Sequence, residues 1–525
     1  MTHRTITSRR SLVIVCVILF LTFLDNTIVS VVLSNIQSKL AAGVTDLQWI
    51  VDSYMLVFAV FMLFGGSIGD ILGRKKVMLS GVALFVAGSA LSMVANSVDL
   101  LIAGRVIMGL GAAASEPGTL SMIRHIYPER KTRSRALGVW SAVSGIALAF
   151  GPIIGGIIIG FSDWRGVFAF SVVFGLVALI AGWEFLPENA DPKGRQLDVS
   201  GLILGGVSLS SVICGLIFGE NNGYGRLWII ALFVLSAMSM SAFIFVESRH
   251  QDPVLPLQFF KKINFSMANF VAFTANFGIF AVFFFVALYL QLIAGFSGYQ
   301  IALAFISMSV AIVLSSILAG RWNSSHKTMP LMIFGCLLAG AGIFILNTVI
   351  HPDVSTVTLA WSLAISGLGF GICLVTMTST VLGSVPAQRS GMAASTVNTF
   401  RELGGVFGVA VLGSIVNAQL TGSLEAKLRA LHLPTNFQSF VIYAITHGGH
   451  TPKGVHVTIG ELVSHAYLIQ QVTNAAYRAF GNGLSIALDI AGTLLISAAL
   501  TASVVYFHRL YKAGTIPILK LKRAP

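Results

Sequence analysis

Fourteen apolar stretches, each long enough to cross a bilayer, constrain this 525-residue chain more than any other feature. They lie near 12–33, 48–68, 77–96, 100–122, 136–160, 164–186, 199–219, 226–246, 265–291, 300–320, 330–350, 356–379, 391–418 and 483–507. A helical span needs roughly 20 mostly apolar residues. Lipid offers no partner for an open strand edge, so each run is expected to be a helix. A β-barrel would instead show short alternating segments, which are absent. The expectation is an all-α polytopic membrane protein. The first run follows MTHRTITSRR. It is too long for the roughly 7–15-residue apolar core of a signal peptide and lacks a small-residue cleavage site, so it reads as a retained span.

Only 10% of the residues are charged and 55% are hydrophobic, against roughly 25% charged in soluble domains. An ordinary soluble enzyme is therefore excluded. A net charge of +13 would suit nucleic acid if it formed one patch. Here the charges sit in short loops between apolar runs, so no nucleic-acid partner is expected. Their distribution sets orientation. Alternate loops carry Arg74, Lys75 and Lys76, then Arg124, Arg130, Lys131, Arg133 and Arg135, then Lys261 and Lys262. The intervening short loops hold only Lys39, Arg165 and Arg226. Both termini are thus expected in the cytoplasm, across an inner or plasma membrane, which requires an even number of spans.

The loop at about 419–482 is long and should lie outside. It contains His432, His447, His450, His456 and His465 at spacings that fit no metal-ligand pattern, so solvated histidines are expected. Cys16, Cys214, Cys336 and Cys373 all lie in apolar stretches without a CxxC pair and read as packing residues. No metal and no cofactor are expected.

Two segments are related across the chain. A basic loop enters the fifth span as RKTRSRALGVWSA before SGIALAFGPIIGG, and AQRSGMAASTVNTF enters the thirteenth before RELGGVFGVAVLG. This gives a six-plus-two-plus-six scheme. Residues 1–186 form an N-terminal six-helix bundle, 187–262 hold two inserted helices, and 263–525 form a C-terminal six-helix bundle that includes the long loop. Two six-helix halves around a central site are a transporter arrangement.

A charge at mid-bilayer costs about 2.5–3.5 kcal/mol by insertion scales, so each buried charge needs a reason. Asp25 lies near the middle of the first span, on a polar stripe with Thr22, Asn26 and Ser30. Its structural alternative is a bond to a neighbouring helix. Arg105 and Glu116 share one face of the fourth span, about 16 Å apart at roughly 1.5 Å per residue. They are too distant to pair with each other, so each must face water, a partner or a substrate. Pro117 should kink this span. In the thirteenth span Arg401 and Glu402 are adjacent and therefore serve different sides, with Glu402 sharing a face with Asn398 and Gly405. Asp52 and Asp489 read as charges near the outer surface.

GSIGDILGRKK at 66–76 places Asp70 and Arg74 four residues apart, able to pair on one helical turn, with Gly66 and Gly73 allowing close helix approach and Lys75 following. The alternative is an ordinary basic loop. In the fifth span Gly145, Gly151, Pro152, Gly155 and Gly156 form a small, bendable surface, which tight helix packing alone would also produce.

Together these segments resemble the 14-helix drug:proton antiporters of the major facilitator superfamily, and the quaternary-ammonium efflux pumps in particular. LDNTIV at 24–29 is similar to the first-helix motif, with Asp25 in the acidic position. WIVDSY at 49–54 and the 66–76 segment resemble the second helix and its following loop, and RVIMGLGAA at 105–113 resembles the fourth-helix motif. GIALAFGPIIGG at 145–156 is similar to the exporter motif of the fifth helix, and RELGGVFGVAVLG at 401–413 to a late-helix pattern. The resemblance implies the major facilitator fold and proton-coupled antiport of lipophilic, cationic drugs out of the cytoplasm. Asp25, Glu116, Glu402, Arg105 and Asn398 become candidates for coupling and substrate binding. The implied partners are protons, a small-molecule substrate and the bilayer; a periplasmic adaptor is left open. Proton symport of a metabolite is the alternative within transport. A membrane-embedded transferase would need acids or histidines clustered in cytoplasmic loops, and a channel would need repeated selectivity residues. Neither pattern is visible.

Overall fold

The computed structural model describes residues 3–512 apart from 43, 189–197, 251–252, 254, 256, 297, 324–326 and 431–465. Among the described residues the chain is helical, and 13 helices are long and apolar enough to cross a membrane. The first half comprises α1 (His3–Leu40), α2 (Val44–Leu72), α3 (Arg74–Met93), α4 (Val98–Ile126), α5 (Arg130–Phe161) and α6 (Arg165–Phe185). Then follow α7 (Val199–Asn222) and α8 (Leu227–Arg249). The remaining helices are α9 (Ile263–Ala281), α10 (Gly298–Asn323), α11 (Thr328–Val349), α12 (Thr356–Gly383), α13 (Ser390–Ala430) and α14 (Ala466–Lys512). Helix α9 continues through a π turn, Val282–Val286, into Ala287–Leu292. The 32-residue α5 stands in the place of the expected fifth span.

The helices overrun the apolar runs that predict them. RKTRSR, which reads as a loop, forms the first turns of α5. Arginine and lysine favour helix, and their charged ends can sit beyond the hydrocarbon while the backbone bonding continues. For the same reason LTGSLEAKLRA, read as a separate piece of the outer loop, simply continues α13. The 466–480 part of GELVSHAYLIQQVTNAAYRAF likewise belongs to α14. The five loop histidines fall outside the described residues. Helix α4 remains helical through Pro117. Because Pro117 has no N–H, the carbonyl of Ala113 loses its helical donor. Gly65 of α2 packs directly against that carbonyl, where a Cβ would collide.

Packing repeats across the chain. In the first half α3 packs on α4, α2 on α4, α1 on α5 and α3 on α6. Eight helices later α11 packs on α12, α10 on α12, α9 on α13 and α11 on α14. The most extensive contacts joining these sets are α2 with α13 and α5 with α10, each the counterpart of the other under the same offset, and α4 with α13 and α5 with α12 add a second such pair. Helices α7 and α8 pack together, and α7 lies against α2 and α13. Small residues bring the joining helices close: Gly138 of α5 faces the backbone of Gly320 in α10, and Gly66 faces that of Gly391.

Candidate functional site

Buried charges gather in two places. In the first, Arg105 of α4 staples three helices. Its Nη1 donates to Asp25 Oδ2 of α1 at 2.5 Å, and its Nε donates to the Ile50 carbonyl of α2 at 2.9 Å. The guanidinium stacks over Tyr54, 4.4 Å from the ring centroid, while Tyr54 Oη donates to the Thr22 carbonyl at 3.2 Å. Arg105 and Asp25 are both 1% exposed, so the pair is shielded from screening. Asp25 and Arg105 therefore balance each other inside one half. Thr22 of the polar stripe bonds back to Leu19 of its own helix at 2.9 Å.

The second place bridges the halves. Arg401 of α13 points its Nη1 at Glu116 Oε1 of α4, 3.8 Å away. The same nitrogen donates to Asn398 Oδ1 at 3.2 Å, so Asn398 serves Arg401 and not, as its spacing suggests, Glu402. Two aromatic rings hold the guanidinium, Phe23 of α1 at 5.1 Å and Trp140 of α5 at 5.8 Å. Trp140 is fixed in turn, because its Nε1 donates to Thr119 Oγ1 at 3.0 Å. Thr119 then donates to the Glu116 carbonyl at 2.6 Å. Glu116 and Arg401 are 0% and 2% exposed. At 3.8 Å the ion pair is too long for a hydrogen bond, and both Glu116 oxygens lack a hydrogen-bond donor among the described residues. Glu402 is buried, and its charge and that of Arg401 both act on Glu116.

A seal between the halves closes the arginine-rich end. Asp70 and Arg74 do pair, but across a helix break and not on one turn. Gly73 at φ 110° ends α2, and Arg74 begins α3. Arg74 donates to Asp70 Oδ1 through Nε at 2.9 Å and Nη2 at 2.8 Å. Asp70 also accepts from the backbone N–H groups of Gly391 and Met392, at 3.1 and 3.0 Å, in the first turn of α13. A carboxylate at a helix N-terminus is the favourable sign for that dipole. Arg74 reaches the Ala387 carbonyl at 3.1 Å, and the Gly66 N–H donates to Ser395 Oγ at 2.7 Å. Two arginines from the α4–α5 turn do the converse at helix C-termini. Arg124 donates to the carbonyls of Leu382 and Val385 at the end of α12, and Arg130 to Asn323 at the end of α10. Lys75 stays within its own half, its Nζ donating to the Trp183 carbonyl at 2.6 Å.

The glycines of α5 divide their work. Gly145 meets Ile312 of α10 across the interface, and Gly151 meets Thr27 and Ile28 of α1. Gly155 is buried, and Gly156 is exposed with nothing near its Cβ position. Pro152 lies within the helix beside them. Asp489 pairs with Asn347 at 2.8 Å on an exposed surface, and Asp52 is half-buried in α2. Among the described residues no group of three His, Cys, Asp or Glu side chains is placed to hold a metal.

Sequence reading alone passed over Phe23, Tyr54 and Trp140, and over the role of Arg124 and Arg130. Tyr54 and Trp140 each stand next to a serine in WIVDSY and GVWSA, but nothing in those strings says that an arginine lies above each ring.

Residues 15–409 match the family model of the Major Facilitator Superfamily. The chain is 29% identical to the multidrug resistance protein Stp of Mycobacterium tuberculosis (strain CDC 1551 / Oshkosh), over 95% of this chain and 92% of that protein. It is 28% identical to the tetracenomycin C resistance and export protein of Streptomyces glaucescens, over 94% of this chain and 90% of that protein. Among solved structures, the proton:xylose symporter XylE bound to 6-bromo-6-deoxy-D-glucose superposes with a TM-score of 0.60 at 14% identity, covering 95% of each chain.

Proposed function

The chain belongs to the major facilitator superfamily, and from that premise we propose that it exports lipophilic drugs from the cytoplasm in exchange for protons. One observation carries the reading: Glu116 and Arg401, fully buried, form an ion pair that joins the two halves without a hydrogen bond. The halves are the six-helix units 1–186 and 263–525, with 187–262 inserted between them, and the arginine-rich end faces the cytoplasm. The seal of Asp70, Arg124 and Arg130 closes that end, so the described conformer is closed to the cytoplasm.

A buried carboxylate cannot cheaply hold an unmatched charge. Glu116 therefore holds either a proton or the charge of Arg401 with a substrate group beside it, and the two states compete. A proton arriving from outside neutralises Glu116 and releases both Arg401 and any bound drug. Loss of that proton toward the cytoplasm resets the site. Asp25, matched by Arg105, positions α1 against α4 during the cycle, and Glu402 tunes the charge around Arg401. At about 2.3 kcal/mol per charge per 100 mV, one proton on a gradient of ~150 mV sustains a few hundred-fold drug gradient.

Everted membrane vesicles test this. They are energised until acidic inside, and tetracenomycin C, the compound named for the Streptomyces relative, is then added. Export coupled to protons drains the pH gradient on addition and accumulates drug in the vesicles. A gradient untouched by tetracenomycin C and by a wider panel of lipophilic antibiotics would refute the proposal.

A further inference from the structure

The ion pair between the halves leaves a particular set of polar atoms unmatched. Glu116 Oε1 and Oε2 have no donor, and Asn398 Nδ2 and Arg401 Nε have no acceptor, among the described residues. All three side chains are at most 2% exposed. Buried polar atoms are nearly always paired, and four unmatched atoms on three touching residues is a concentration that packing alone does not explain. The four are of opposite kinds. Two accept and two donate, and Nη1 of Arg401 bridges them, 3.8 Å from Glu116 and 3.2 Å from Asn398. The rings of Phe23 and Trp140 flank the guanidinium, so apolar surface adjoins the polar atoms.

This arrangement discriminates among ligand groups. A fixed cation set against Glu116 would be attracted by the Glu116 and Glu402 carboxylates and repelled by the Arg401 guanidinium, and it would leave Asn398 Nδ2 and Arg401 Nε without an acceptor. A fixed anion on Arg401 would meet Glu116 in the same way. A quaternary ammonium, with no N–H, could satisfy none of the four atoms by hydrogen bonding. A neutral group that donates to the carboxylate and accepts from the guanidinium and amide satisfies both kinds together, without adding charge to a desolvated site.

We propose that Glu116, Asn398 and Arg401 form the polar subsite for substrate, and that it selects drugs carrying a neutral donor–acceptor group, such as a primary carboxamide, on an aromatic body. This rests on the export reading above and narrows its substrate class, away from the permanent cations that the sequence resemblance implies. The aromatic body lies against Phe23 and Trp140. Asn398 and Arg401 come from one half and Glu116 from the other, so the polar group touches both halves at once.

Three anthracene probes decide it, with the full-length protein in lipid nanodiscs. Anthracene-2-carboxamide donates and accepts, its N,N-dimethyl amide only accepts, and (anthracen-2-yl)trimethylammonium is a fixed cation. Saturable binding is measured for each against protein-free nanodiscs. The carboxamide is expected to bind at least about tenfold tighter than either of the others, the scale of one buried hydrogen bond to a charged group. Asn398→Leu removes a donor that both amide carbonyls accept from, so it should weaken the carboxamide and the dimethyl amide alike, by about threefold or more, and leave the trimethylammonium probe unchanged. The wild-type comparison needs no variant, so misfolding of Asn398→Leu cannot mask the answer. Equal binding of the two amides, or tightest binding of the trimethylammonium probe, overturns the proposal. If the trimethylammonium probe is also exported with proton exchange in vesicles, the export reading stands while the subsite proposal falls. If no probe binds saturably and no drug drains the gradient, both fall.

Discussion

Asp70→Asn is expected to loosen the cytoplasmic seal without unfolding the protein. Asp70 accepts four hydrogen bonds, two from Arg74 and two from the backbone N–H groups that open α13. The two from α13 cross between the halves and break when that end opens. Arg74 also spans the interface through the Ala387 carbonyl, and its orientation depends on the Asp70 carboxylate. A hydrogen bond to a charged group is worth about 1.5–3 kcal/mol. Asparagine keeps one carbonyl acceptor, so one inter-half bond survives in neutral form and the favourable charge at the α13 N-terminus is lost. The net cost to the closed state is about 2–3 kcal/mol, which shifts the closed-to-open ratio by about 30- to 160-fold. Spin labels at Lys131 and Gln388, both exposed at this end and on opposite halves, would report the change by pulsed electron–electron resonance. A short, narrow distance should give way to a longer one as the open conformer gains population. An unchanged distribution in a variant that is folded would refute the latch.

Three further perturbations follow from the same contacts. Gly66→Ala places a methyl group against the Gly391 carbonyl and Ser395, so it should cost about 1–3 kcal/mol and widen the same spin-label distance; Gly160→Ala, with nothing near its Cβ position, should stay within about 1 kcal/mol in thermal melts. Arg124→Gln removes the cation that caps the end of α12 and should open the seal in the distance measurement, by an amount comparable to Asp70→Asn. Asp25→Asn leaves the Arg105 guanidinium without its counter-charge and should lower stability by about 3 kcal/mol; the double change Asp25→Leu with Arg105→Met should recover most of that stability in melts while transport stays lost, and if the double variant transports drug normally, the pair has no part in the cycle.

The fold was largely legible because lipid leaves so few choices. Apolar runs became helices, and α1–α6 and α9–α14 repeat their packing eight helices apart. The helix ends were less legible. Hydropathy reports where lipid begins, while RKTRSR and LTGSLEAKLRA extend α5 and α13 beyond it on backbone bonding alone. Buried ion-pair members were legible wherever burial of a charge was itself the anomaly, as for Asp25, Arg105, Glu116 and Arg401. Their partners were not, because pairing depends on which helices meet. Nothing in the spacing of Arg401 and Glu116, on helices from opposite halves, brings them to 3.8 Å. The basic loop residues were the least legible of all. Arg124 and Arg130 read as topological charges, and only the meeting of α4 and α5 with the ends of α12 and α10 shows them capping helices of the other half. Tyr54 and Trp140 read as span residues until the guanidinium groups above them came into view.

The central claim is that drug and proton exchange through Glu116, and one measurement meets it directly. Proteoliposomes loaded with an internal pH probe and given an imposed pH gradient would be followed for drug and proton flux together, for the native protein and for Glu116→Gln. The account predicts opposite movements of drug and proton in a fixed ratio, and loss of both in the folded variant. Drug and proton moving in the same direction, or coupled exchange that survives in Glu116→Gln, would contradict it.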